Sequence, residues 1–330
     1  MLILTLAQLT GPTVVRETPA EKLAFILLAA APLVVLYAWV HNWIQPGTFR
    51  DREVGLKRVG SFSASVWAAL MLAGLIVPGV IQVLVLMAMG VPVEATGGSK
   101  TPAQFHASTL AQLVGFAAVV PLMVLTCQKL AVGSWAPRVR ELIPAPAHAS
   151  VAPDSKPGFL KFSEHELLVG LGLSVLVTCV VMLVGKVSSS LYAFFTQKAP
   201  TALTHDTLSS LFSSTSSHPS WVMPAVIACV VIGAPVSEEL VYRGFLHSGV
   251  LKAVRSRWLA IFISSALFTA VHIPVAQYYA LPMIFTLGVA LGVVMEKRGN
   301  LWACVGVHAG FNAMQLFLAA MITAPASPAQ

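Results

Sequence analysis

Along the chain, long apolar stretches alternate with short polar ones. About eight of them reach or approach the ~20 residues needed to cross the ~30 Å hydrocarbon core of a bilayer. They predict helices near Leu23–Ile44, Val66–Val91, Thr109–Leu130, Leu167–Val187, Trp221–Val241, Leu259–Ile273, Ala280–Met295 and Leu301–Ile322. The sixth is short and holds a histidine. The expected fold is all-α, a polytopic transmembrane helix bundle of about eight spans. Leu2–Leu9 is apolar but short and lacks a basic start, so no cleavable signal peptide is expected.

Composition agrees with this pattern. The 330 residues are 57% hydrophobic and 10% charged, with a mean hydropathy of +0.81. The net charge of +7 does not gather into a nucleic-acid surface. Arg50, Arg52, Lys57 and Arg58 lie between spans one and two, and Arg138, Arg140, Lys156 and Lys161 between three and four. Lys252, Arg255 and Arg257 follow span five, and Lys297 and Arg298 follow span seven. These are alternate loops, as the positive-inside rule requires of the cytoplasmic side. An integral, multi-pass membrane protein with both termini outside is expected, in the inner or plasma membrane if the source is bacterial. The four cysteines lie within predicted spans at no metal-ligand spacing and read as small packing residues.

The Ala- and Pro-rich stretch 141–158 reads as a cytoplasmic linker, and the Ser- and Thr-rich stretch 198–220 as an external loop. The linker separates residues 1–160, membrane spans without a motif, from residues 161–330, where the chemistry gathers. No internal repeat is visible, so a transporter built on inverted repeats has no support. The first four spans hold almost no ionisable side chains. The last four hold Glu238, Glu239, Arg243, His272 and His308, with Asn312 one turn further on. The other seven histidines lie in loops or near span ends and read as solvated.

An ionised group at membrane depth costs roughly 2.5–3.5 kcal/mol on insertion scales, so two adjacent glutamates mark a functional site. Glu239 and Arg243 share a helix face with the acid N-terminal, the better orientation for an ion pair. Glu238 is rotated about 100° from its neighbour and left unpaired. An unpaired carboxylate in low dielectric is suited to general-base work near neutral pH. Pro235, one turn earlier, is expected to kink the helix or free carbonyls. His308 and Asn312 share a face of the last span and could donate to an oxyanion. Singly, either histidine could be a satisfied interior residue, and Asn312 an inter-helix hydrogen bond. The pairs Gly306/Gly310 and Gly288/Gly292 read as close-packing positions. One depth conflict arises: His272 lies ~21 Å from Trp258, about 10 Å too far to meet Glu238 if span six begins there.

Glu238-Glu239-x-x-x-Arg243, Phe268-x-x-x-His272 and His308-x-x-x-Asn312, in that order on successive helices, resemble the three motifs of the CAAX protease and bacteriocin-processing (CPBP) family. The family comprises intramembrane glutamate endopeptidases, among them type II CAAX prenyl endopeptidases and proteins similar to lysostaphin resistance protein A. The motif core covers residues 221–320. The resemblance implies a membrane endopeptidase in which Glu238 and His272 activate water. His308 and Asn312 would form the oxyanion hole, with Glu239 and Arg243 in support. It implies no cofactor and a peptide or protein substrate in the bilayer, lipidated ones included; Glu238, ~25 Å in from the external start of its span, puts the site toward the cytoplasmic side. CAAX-type C-terminal processing of prenylated substrates is one form of that activity.

Three alternatives stand beside it. A glutamate and two histidines could ligate zinc, although no His-Glu-x-x-His pair is present. Glu238 could carry protons or cations in a transporter. The motifs could also persist in a non-catalytic membrane regulator or bacteriocin-immunity scaffold.

Overall fold

In the computed structural model, the residues described are 19–49, 63–91, 101–132, 162–200, 211 and 219–323, with side chains omitted over 122–132. The 141–158 linker, most of the 198–220 loop and the basic residues assigned to the first two cytoplasmic loops lie outside them, as does the side chain of Cys127. Among the described residues there are eight α-helical elements: α1 (Pro19–Val40), α2 (Ala64–Ala88), α3 (Pro102–Val132), α4 (Glu164–Thr196), α5 (Val222–Val254), α6 (Arg257–Ala270), α7 (Leu281–Arg298) and α8 (Leu301–Thr323). Seven are long and apolar enough to cross a membrane, and α6 is not. Large apolar side chains such as Phe25, Leu36, Ile76 and Leu84 stand exposed on α1 and α2, as lipid-facing residues would.

Local sequence sets the helix ends. Thr101 and Gln104 form a reciprocal capping box at the start of α3, each side chain accepting the other's backbone N–H at 3.3 and 2.9 Å. Ser63, Ser163 and Ser256 cap α2, α4 and α6 in the same sense. Arg255 and Gly299, both at positive φ, end α5 and α7 and turn the chain back on itself.

Two expectations of length are corrected. The fifth span does not stop at Val241 but continues to Val254. Its last turns contain Arg243, His247 and Lys252, which end the apolar run without ending the helix. His247, read as solvated, is fully buried. Its Nε2 lies 2.7 Å from Glu296 Oε1 and its Nδ1 lies 3.3 Å from Ser264 Oγ. Arg257 donates to the other oxygen of Glu296 and to its backbone carbonyl, the latter at 2.7 Å. This cluster joins α5, α6 and α7 at one level. The sixth stretch forms a helix of only ~21 Å, which then yields to turns and a 3₁₀ segment, Tyr278–Ala280. It still runs antiparallel to α7, because Arg257 at its start meets Glu296 near the end of α7.

Backbones approach closely where α4 crosses α8. A Cβ on Gly170 would run into the Ala303 carbonyl, and one on Gly306 into the Leu167 carbonyl. Gly310 meets Ser174 in the same way. Gly288 and Gly292 fit α7 against Ser265 and Ile261 of α6, where added Cβ atoms would lie 3.0 and 2.9 Å away. Both predicted glycine pairs are therefore packing positions, as small residues at membrane helix contacts commonly are. Gly306→Ala is expected to destabilise the protein by about 1–3 kcal/mol, since the obstructing atoms are backbone and cannot rotate away. Thermal unfolding in detergent indistinguishable from wild type would refute this.

Candidate active site

The site is built around an irregular α5. Two π-helical segments, Ala228–Gly233 and Leu240–Leu246, flank a short α-helical stretch, Ala234–Glu239. Such π segments are frequent at functional sites. Pro235 explains the carbonyl freed at this level. In the first π turn the Ala234 N–H bonds to Cys229 O, so it is not available to Val230. The next residue is proline and has no N–H to offer. The Val230 carbonyl is satisfied from another helix instead: Asn312 Nδ2 donates to it at 2.8 Å. Asn312 thus joins α8 to α5 with one of its two amide hydrogens.

The glutamates divide as their spacing predicts. Glu239 is wholly buried, and its Oε1 accepts from Arg243 Nη1 at 3.1 Å and from His308 Nδ1 at 2.8 Å. Arg243 also donates to the Gly288 carbonyl at 3.1 Å and lies over the Phe268 ring, 4.6 Å from its centroid. Glu238 has a side chain 28% exposed, with Oε2 3.9 Å from His308 Nε2 and in no hydrogen bond. His272 Nδ1 lies 2.8 Å from the Phe268 carbonyl, an acceptor, so Nδ1 carries the hydrogen and Nε2 is left for other partners. Glu238, His272, His308 and Asn312 all line one cavity of about 310 Å³. The depth conflict disappears with the longer α5. From Glu238 to Val254 the rise is ~24 Å, and from Arg257 to His272 it is ~22 Å. Both are measured from the same α5–α6 turn.

Among the described residues, no group of three or more His, Cys, Asp and Glu side chains is arranged to hold a metal ion. The Nδ1 atoms of both site histidines already face oxygen partners, Phe268 O and Glu239 Oε1.

Residues 219–314 match the family model described as Type II CAAX prenyl endopeptidase Rce1-like. That segment is a domain of this family. Its members are membrane endopeptidases, and the matched segment contains all three predicted motifs. No curated protein and no solved structure matches the chain.

The endopeptidase domain does not enclose its cavity alone. Gln82 on α2 and Gln112 and Phe116 on α3 line it from outside the matched segment, and Gln315 does so from α8. These uncharged amides, on no recognised motif, do not stand out along the apolar runs as the ionisable residues do. A signal was present in α8, where His308, Asn312 and Gln315 follow the i, i+4, i+7 spacing of one helix face. The His247–Glu296–Arg257 cluster was missed for a different reason: its members sit where the apolar runs end.

Proposed function

We propose that the endopeptidase domain hydrolyses peptide bonds within the membrane, with water activated by Glu238 and His272. One observation carries the reading: Glu239 is wholly buried with its Oε1 bound by two donors, while the part-exposed Glu238 lines the same cavity as three other motif residues. Glu238 and His272 Nε2 can each accept a hydrogen from one water, turning its lone pair toward a substrate carbonyl. Attack forms the C–O bond as Glu238 takes the proton. Glu238 then passes that proton to the amide nitrogen as the C–N bond breaks, leaving an acid and an amine.

His308 and the second Asn312 amide hydrogen stabilise the oxyanion. Because His308 Nδ1 donates to Glu239, its Nε2 donates to the oxyanion when the ring is an imidazolium. Glu239 is thus a positioning residue for His308, as Arg243 is for Glu239. The catalytic unit is assigned to residues 161–330, its motif core to 221–320, and the site to the cytoplasmic side. Prenylated C-termini are one candidate substrate class.

The test is comparative proteomics of membranes carrying wild type or Glu238→Gln. New peptide C-termini are expected only with wild type. Identical termini and an unchanged cellular phenotype would instead identify a scaffold. Activity is also expected to survive exhaustive chelation with less than a twofold change, because the proposed water is activated by side chains. A loss restored by zinc would overturn the mechanism.

A further inference from the structure

The motif residues occupy only part of the cavity; the rest of its lining is mostly apolar, with three glutamines set into it that have no role in hydrolysis. Gln315 Nε2 is buried without a hydrogen-bond partner among the described residues. Gln82 and Gln112 reach the same cavity from α2 and α3. Glutamine is costly at membrane depth unless it is hydrogen-bonded. Three of them around one cavity, from three helices, are difficult to explain as packing.

Their placement is built. The Phe116 ring sits on Gly233 so closely that any Cβ there would clash, which holds α3 against the first π segment of α5. Gln82 lies over Gly115, where a Cβ would come within 3.3 Å of its Cγ. Along α8, His308, Asn312 and Gln315 rise in steps of ~6 and ~4.5 Å. Backbone groups on one edge of an extended peptide recur about every 6.8 Å. A strand laid along α8 with its scissile carbonyl at His308 would therefore bring its next same-edge amide near Asn312 and Gln315.

We propose that Gln82, Gln112 and Gln315 form a backbone-recognition subsite, which holds the substrate extended by hydrogen bonds to its amides flanking the scissile bond. A glutamine side chain offers both a carbonyl and an NH₂ group, the complement of a peptide unit. In a bilayer an extended segment has no water to satisfy its backbone, so each such bond replaces a full desolvation penalty. The subsite reads backbone rather than side chains. Its α2 and α3 members give the N-terminal spans a part in substrate binding.

This inference rests on the peptidase reading, and the experiment separates the two. The probe is a fluorescent farnesylated peptide ending in a CAAX sequence, with each backbone N–H flanking the scissile bond replaced in turn by an ester oxygen. Affinity is measured with Glu238→Gln protein, which cannot cut, and cleavage with wild type. At one position the ester is expected to weaken binding about five- to tenfold. That penalty should shrink below twofold in Gln315→Leu or, independently on another helix, in Gln82→Leu. Matching melting temperatures confirm that both variants fold, and their KM should rise while kcat stays within about twofold. Cleavage with ester penalties unchanged by every glutamine variant overturns the subsite alone. Glutamine-dependent binding without cleavage keeps the subsite and overturns the peptidase. Absence of both binding and cleavage overturns both.

Discussion

Glu238→Gln is expected to lower peptide-bond cleavage about a thousandfold, within the 10²–10⁴ range of a general base, while leaving the fold intact. The amide is nearly isosteric with the carboxylate but cannot take a proton from water. Glu238 makes no hydrogen bond through its Oε2 and belongs to no short ion pair, so its loss removes no structural partner. Unfolding should stay within about 0.5 kcal/mol of wild type. Glu239→Gln gives the contrast that makes the result specific. Its carboxylate holds both Arg243 and His308, so replacement should lower activity and stability together. Retention of more than a tenth of wild-type turnover by Glu238→Gln would remove it as the base. A melting temperature far below wild type would show that the two glutamates had not divided their roles.

The largest effect on stability is expected away from the chemistry. Glu296→Gln should destabilise the protein by about 3–5 kcal/mol, because it leaves the buried Arg257 without its counter-charge. Glu296 is 5% exposed and His247 is fully buried, so neither water nor salt can compensate. Replacing His247, Arg257 and Glu296 together by apolar residues of similar volume should be far milder, since no unpaired charge then remains. Equilibrium unfolding in detergent for the single and triple variants checks both statements. A single variant as stable as wild type would sink the first. The cluster joins the helices that carry Glu238 and Glu239, Phe268, and Gly288, so Glu296→Gln should also slow cleavage by loosening the site.

Much of the bundle was legible in the sequence because hydropathy reports what lipid demands of a helix surface. The glycine contacts of α7 and α8 follow from the spacing of small side chains. Hydropathy misplaced the end of α5 and the nature of α6. It measures the length of an apolar run, and polar residues that satisfy one another inside a bundle interrupt the run without interrupting the helix. His247 and Glu296 are such a pair. They lie far apart in sequence, and each looks solvated until the other is placed beside it. The same error displaced Glu238 from the middle of its helix toward an end, and so produced the conflict over His272.

By itself the sequence determined the membrane class, the positions of most helices and the separation of Glu239 from Glu238, all consequences of periodicity and charge within one helix. It also contained the three motifs that mark an endopeptidase domain. Only the tertiary structure decided that His308 binds Glu239 through Nδ1, that Asn312 answers the carbonyl left over by Pro235, and that glutamines of α2 and α3 face the same cavity. Those are contacts between helices, and their geometry depends on crossings that no single helix encodes. A residue's face follows from its spacing, but its partner follows from which helix packs there.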